Sequence, residues 1–156
     1  MTINEIINQT KNQTWQEKLK TASELFTNIT FSTSFSLEDQ IITEFIASNN
    51  LPIEIFTIDT GRLPKETYAV WQATLDRYKI KIAAYYPNQN HLEEFIKEKG
   101  INPFYESIDL RKNCCAIRKI EPLQRALQNK KLWISGLRKD HSSSRSEKDF
   151  FEKDEA

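Results

Sequence analysis

Apolar positions along the chain switch between two spacings, and the switches divide it into alternating helices and strands. Trp15, Leu19, Ala22 and Leu25 recur at helical spacing and predict a helix capped by Thr14 or Asn12 that runs to about Phe26. Residues 28–34 read as a strand, with Ile29 and Phe31 alternating against Thr30 and Ser32. Residues 37–47 return to helical spacing, with Ile41, Ile42, Phe45 and Ile46 as the inward stripe. Residues 53–58 are mostly apolar, as expected of a strand covered on both faces. Pro64 is placed in the first turn of a helix that carries Tyr68, Trp71 and Leu75. A third strand, 80–86, closes at Pro87, and an amphipathic helix, 91–99, stops at Gly100. After a loop through Pro103, a helix is expected to open near Asn113, followed by a fourth strand at 132–135. Strands alternating with helices predict an α/β fold of the Rossmann-like kind, a parallel twisted sheet with helices on both faces. Ligands of such sheets bind beyond the carboxyl ends of the strands.

Length and charge narrow the classes. The 156 residues suit one domain, 1–156. Lysine plus arginine equals aspartate plus glutamate at 22 each, so the whole chain has no general attraction for nucleic acid or for an anionic membrane. No apolar run reaches the roughly 20 residues that span a bilayer, and residues 1–13 lack the continuous apolar stretch of a signal peptide. A cytoplasmic location is expected. The only two cysteines, Cys114 and Cys115, are adjacent, and a bridge between neighbours would close almost no loop.

Three strand-end segments carry candidate chemistry. Ser34-Phe35-Ser36-Leu37-Glu38-Asp39 is a hydroxyl-rich turn into a helix. It suits a phosphate or sulfate, or simply an N-cap made by Ser34 or Ser36. Asp59-Thr60-Gly61-Arg62-Leu63-Pro64 ends the second strand and suits a nucleotide sugar or phosphate, or a plain turn. The stretch from Gly136 to Arg145 holds Arg138, Lys139, Arg145, His141 and three serines. Its guanidinium groups could fork onto a dianion, or the loop could be merely solvated.

Asn113-Cys114-Cys115-Ala116-Ile117-Arg118-Lys119 is the strongest local feature. With Asn113 as cap, both thiols would lie in a first turn, where the macrodipole favours a thiolate. Arg118 and Lys119 would follow one turn later, at i,i+4 from Cys114 and Cys115. Metal or redox use competes with two small buried hydrophobes. Two ligands are too few for a closed metal site. Pro122 is expected to kink or restart the helix.

Taken in order, the 34–39 motif, Asp59-Thr60-Gly61-Arg62-Leu63 with Glu66-Thr67-Tyr68, the cysteine pair with Arg118-Lys119-Ile120-Glu121-Pro122-Leu123, and Gly136-Leu137-Arg138-Lys139-Asp140 resemble the adenylyl-sulfate and phosphoadenylyl-sulfate reductase family. The likeness covers about residues 31–145. It implies an adenine nucleotide alpha-hydrolase-like fold and the reduction of an activated sulfate to sulfite and AMP in sulfate assimilation, toward cysteine biosynthesis. By this match Ser34, Phe35, Ser36 and Asp39 occupy the modified pyrophosphate loop. Thr60, Gly61, Arg62 and Leu63 line the adenosine pocket, with Gly136 at the fourth strand end. Arg138 and Arg145 meet the phosphate and sulfate groups. Cys114 and Cys115 match the first pair of ligands to a 4Fe-4S cluster, and Lys119 the cation between cluster and substrate. Paired cysteines mark the cluster-containing branch, which implies adenylyl sulfate as the favoured substrate and phosphoadenylyl sulfate as the alternative. Thioredoxin or a similar thiol donor is the implied partner, and a homo-oligomer is compatible with the match.

Two departures accompany the likeness. His141 stands where the family commonly has glutamine. The family's second cysteine pair and its nucleophilic cysteine have no counterpart up to Ala156. The resemblance therefore predicts a nucleophilic cysteine beyond Ala156, in a C-terminal portion that this chain lacks, and a chain that is inactive alone. A non-catalytic adenine-nucleotide-binding remnant is a competing expectation. An ATP pyrophosphatase is a third, weakened because 34–39 lacks the paired glycines of that loop.

Overall fold

The computed structural model describes residues 1–136 and 150–154. Helices α1 (Ile3–Gln9) and α2 (Trp15–Leu25) precede strand β1 (Ile29–Ser32). Helix α3 (Leu37–Ser48), strand β2 (Ile53–Ile58), helix α4 (Lys65–Tyr78) and strand β3 (Ile82–Tyr85) follow in alternation. Next come helix α5 (Gln89–Lys99), a short 3-10 turn (Pro103–Tyr105) and helix α6 (Ile108–Cys115). A π-helical segment (Ala116–Ile120) joins α6 to helix α7 (Glu121–Leu127), and strand β4 (Leu132–Ile134) ends the series. Among the described residues the sheet has four strands in the order β3-β2-β1-β4, and every neighbouring pair is parallel. The chain steps outward from β1 to β2 and β3, then returns to the other side of β1 with β4. That reversal between β1 and β4 is where such sheets open a crevice.

Both sheet faces are covered around the centre. On one face Ile29, Phe31, Ile53 and Ile55 pack with Leu19 of α2 and Ile46 of α3, and Trp15, Ile42 and Phe45 close the rim. On the other, Phe56 is fully buried and meets Tyr85 edge to face, and α7 packs over β2 and β3 with Ala126 buried. Full burial of a phenylalanine such as Phe31 or Phe56 is worth roughly 2–3 kcal/mol. Thr30, also buried, gives its hydroxyl to Glu54 O at 3.0 Å. No helix of the described residues is long and apolar enough to cross a membrane.

Several expectations change. Residues 3–9 form a helix that the sparse isoleucines do not announce; Thr2 and Glu5 make a reciprocal capping box, and Ile6 buries against Ala22 and Phe151. The buried stripe of α3 is Asp39, Thr43 and Ile46, which turns Ile41 outward to 49% exposure. Leu25 also leaves its stripe, at 40% exposure. Pro64 is the N-cap of α4 rather than a residue of its first turn. The largest change is at the cysteines. The helix opens at Ile108, with Ser107 accepting from Leu110 N–H and Asp109 in the first turn, not near Asn113. Cys114 and Cys115 therefore close α6, and the dipole of a helix N-terminus does not act on them.

Candidate functional site

Two cavities differ in what surrounds them. One, of about 690 Å3, lies at the entry ends of β2 and β3, between Asn50, Leu51, Ile53, Tyr78, Ile80 and Ile82. The other, of about 430 Å3, lies on the turn that follows β2, near the carboxyl ends. Thr60, Arg62 and Leu63 form one wall of the smaller cavity. Arg111, Cys114, Cys115, Arg118 and Lys119 form the opposite wall. Four cationic residues and two cysteines line it, and among the described residues no carboxylate does. Its position and its chemistry make it the candidate site.

The turn after β2 is built by short-range hydrogen bonds. Asp59 is buried; its Oδ1 accepts from Gly61 N–H at 2.8 Å and from the Tyr68 hydroxyl at 2.9 Å. Thr60 Oγ1 accepts from Arg62 N–H at 3.1 Å. Gly61 adopts φ +79°, a conformation that favours glycine. The hydrogen bond onto Asp59, with partial shielding and the carboxylate charge, pushes the Tyr68 phenol above its usual value. Arg62 reaches away along the rim, donating to Ile101 O at 2.9 Å and Asn102 Oδ1 at 2.8 Å.

The thiol wall owes its shape to Pro122. A proline inside an α-helix lacks an N–H and clashes with the carbonyl four residues back. The widened Ala116–Ile120 segment relieves that conflict, and α7 restarts with Pro122 in its first two positions. The two cysteines form no disulfide with each other, Cys114 buried and Cys115 half-buried. Arg118 is 7% exposed and donates through NH1 to Thr60 O at 2.7 Å, while its Nε has no partner among the described residues. The turn after β2 and the thiol segment are thus tied across 58 residues of sequence.

A second cluster forms where β1 and β4 end. Ser36 is the N-cap of α3, accepting from Asp39 N–H at 3.2 Å. Ser34 turns both its amide and its hydroxyl to Asp39 Oδ2, at 2.7 and 2.9 Å. Phe35 has φ +62°, unusual for a bulky side chain, and its ring stacks on Trp71 at 5.6 Å; Trp71 in turn stacks on Tyr68 at 6.3 Å. Gly136 meets the Asp39 carboxylate so closely that a Cβ there would overlap Oδ1 and lie 3.2 Å from Cγ.

The expected site residues thus fall into two neighbourhoods. Thr60, Gly61, Arg62, Leu63, Cys114, Cys115 and Lys119 gather on or beside the cavity. Ser34, Phe35, Ser36, Asp39 and Gly136 gather at the β1–β4 corner. Arg138, His141 and Arg145 lie outside the described residues, and so does Ala156, beyond which the nucleophilic cysteine is expected. Sequence reasoning misses Arg111, although a helix begun at Ser107 puts it three and four residues before the two cysteines on the same face. Trp71 reads from the sequence as one more apolar position of α4, and its place between Phe35 and Tyr68 carries no local signal. Among the described residues no group of three or more His, Cys, Asp or Glu converges as a metal site would.

Comparison with known proteins bears on the family and the fold. The model of the phosphoadenosine phosphosulfate reductase domain matches residues 28–156. The chain belongs to this family. Among curated relatives, the adenosine 5'-phosphosulfate reductase of Sinorhizobium fredii is 44% identical over 124 residues, 80% of this chain and 49% of that protein. The enzyme of the same name from Neisseria meningitidis serogroup B is 35% identical over 145 residues, covering 92% of this chain and 59% of its own. A crystal structure of phosphoadenylyl-sulfate (PAPS) reductase from Candida auris, a phosphate complex, superposes with TM-score 0.74 at 25% identity, covering 86% of this chain and 66% of that one. The fold is therefore the adenine nucleotide alpha-hydrolase-like one of the phosphoadenosine phosphosulfate reductase family. The chain spans about half the length of the Sinorhizobium relative.

Proposed function

We propose that this chain carries the nucleotide site of a thioredoxin-dependent adenylyl-sulfate reductase, serving sulfate assimilation and cysteine biosynthesis. The observation that carries the reading is the pair of thiols sharing one cavity with Arg111, Arg118 and Lys119 at the turn that follows β2. Adenylyl sulfate ends in a phosphate–sulfate anhydride, and its negative charges match that wall. The 60–63 turn supplies backbone and side-chain polar groups for the adenosine part. The β1–β4 corner, with Ser34, Phe35, Ser36, Asp39 and Gly136, shapes the loop beside it. Arg138 and Arg145 complete the anion contacts in this reading.

The overall reaction transfers two electrons. A thiolate attacks the sulfonyl sulfur, the sulfur–oxygen bond to the phosphate breaks, and AMP leaves with the electron pair. A dithiol such as thioredoxin then cleaves the S-sulfocysteine, releasing sulfite and becoming a disulfide. This chain's residues bind and orient the nucleotide and neutralise its developing negative charge. With Cys114 and Cys115 engaged as cluster ligands, residues 1–156 supply no further cysteine for the attack, and these residues by themselves are expected to release no sulfite.

The donor chemistry fits half of a four-iron, four-sulfur cluster. Cys114 and Cys115 would supply two thiolates, and Arg111, Arg118 and Lys119 would offset the cluster's negative charge. Such a cluster, when bound, supplies a redox-active iron centre of tunable charge.

Titration calorimetry with AMP and with adenosine 3',5'-bisphosphate tests the reading. The expected outcome is AMP binding that Lys119→Gln weakens about tenfold, the scale of one lost charged contact. No AMP binding at millimolar concentration would remove the reading, and tighter binding of the bisphosphate would move the substrate to phosphoadenylyl sulfate. Support for that second substrate comes from the likeness to the Candida auris protein, which is a phosphoadenylyl-sulfate reductase.

A further inference from the structure

Arg118 is a buried guanidinium that the charge-binding role does not fully explain. It is 7% exposed, its NH1 is spent on the backbone carbonyl of Thr60, and its Nε has no partner among the described residues. No ion pair joins it to a carboxylate among the described residues. A charge held at that depth by one hydrogen bond is costly, and a fold that needed only positive charge could supply it from the exposed Arg111 or Lys119. Two local features are fitted to this guanidinium. Gly61 leaves room for it, because a Cβ there would lie 3.3 Å from NH1. The π-helical turn carries Arg118 itself, so the irregularity caused by Pro122 also sets where its side chain starts.

We propose that Arg118 is a positioning residue: it braces the Thr60–Gly61 turn against the Cys114–Cys115 segment, and so fixes the width of the cavity between them. The brace acts through the backbone carbonyl of Thr60 and does not require Arg118 to touch the nucleotide. Its effect on nucleotide affinity rests on the function proposed above; its effect on the two walls does not.

Amide hydrogen exchange on the full 156-residue chain, with calorimetry of AMP, tests this. In Arg118→Gln, exchange should quicken roughly tenfold in two separate peptides, one over 60–63 and one over 114–121, while β1 keeps its protection. AMP affinity should fall with it. Unchanged exchange in both peptides with weaker AMP binding would make Arg118 a simple cavity charge and overturn the proposal. So would quickening confined to one wall. If Arg118→Gln loses protection throughout and so fails to fold, Arg118→Lys decides. It keeps the charge but replaces the planar fork with a lone ammonium, and should quicken both peptides about threefold; wild-type exchange in both would overturn the brace. A wild-type chain that binds no AMP would defeat the functional reading while the exchange result still judges the brace.

Discussion

The corner at Asp39 and the cavity at Arg118 lie toward the same end of one sheet, yet they treat a buried charge in opposite ways. Asp39 is enclosed by its own neighbourhood: Ser34 gives Oδ2 two donors, and Gly136 packs against Oδ1 with no space to spare. Among the described residues Arg118 is enclosed with a single hydrogen bond and an idle Nε, and the cavity beside it carries Arg111 and Lys119, with Arg62 bonded along its rim, and no carboxylate. The first arrangement is satisfied without a ligand and holds a loop in shape. The second is left with surplus positive charge, which an anionic ligand or a thiolate-bound cluster would offset. A site can thus be divided between a part that spends its polar groups on itself and a part that keeps them for something else.

The sharpest way to break that contrast is Gly136→Ala. The added methyl must displace the Asp39 carboxylate and with it both Ser34 bonds, so unfolding stability should drop by about 3 kcal/mol, combining overpacking with lost hydrogen bonds. Denaturant titration measures it; a loss under about 1 kcal/mol would mean that the corner is loosely held and stands closer to the cavity in character. Trp71→Ala comes next. It removes the ring on which Phe35 stacks and should cost about 2 kcal/mol, with a matching drop in AMP affinity because the 34–39 loop loses its support. Stability loss without any change in affinity would separate that loop from the nucleotide.

Tyr68→Phe is the mildest. Only the hydroxyl donated to Asp59 is lost, and an effect of about 1 kcal/mol or less is expected near neutrality. The sign of its pH dependence follows from the raised phenol. A group whose folded pKa is raised gives stability that is complete below the unfolded value of about 10 and is lost as pH climbs through the folded value. The gap between wild type and Tyr68→Phe should hold steady from pH 7 to about 9 and close at higher pH in paired melts. A gap that widens with alkali would contradict the Asp59 contact.

Apolar spacing and a few capping residues are enough to order the four strands and helices α2 to α5. Thr14 and Ser36, each one of two candidate caps, are the N-caps, and Gly100 and the 53–58 strand fall where local pattern places them. The paired thiols and their neighbouring cations are equally visible as chemistry, because adjacency and spacing survive folding. Less legible is the helix that bears them. Its start at Ser107 competes with Asn113, and local propensity does not distinguish two polar caps six residues apart. The inward face of α3 departs from the apolar stripe at Ile41 for a similar reason: Asp39 and Thr43 are buried by the packing of the whole domain, so hydrophobicity alone points the wrong way. The attacking thiol has no counterpart in any local pattern, since Cys114 and Cys115 are the two cysteines of residues 1–156.

By itself, the sequence determined a parallel α/β sheet, three polar strand ends and one unusual pair of thiols, since period, cap and turn are properties of neighbours along the chain. Only the tertiary structure decided that Arg118 meets Thr60, that Gly136 meets Asp39, and that Arg111 joins the thiol wall. Those contacts depend on strand order and helix register, which set distances between residues that no local pattern relates.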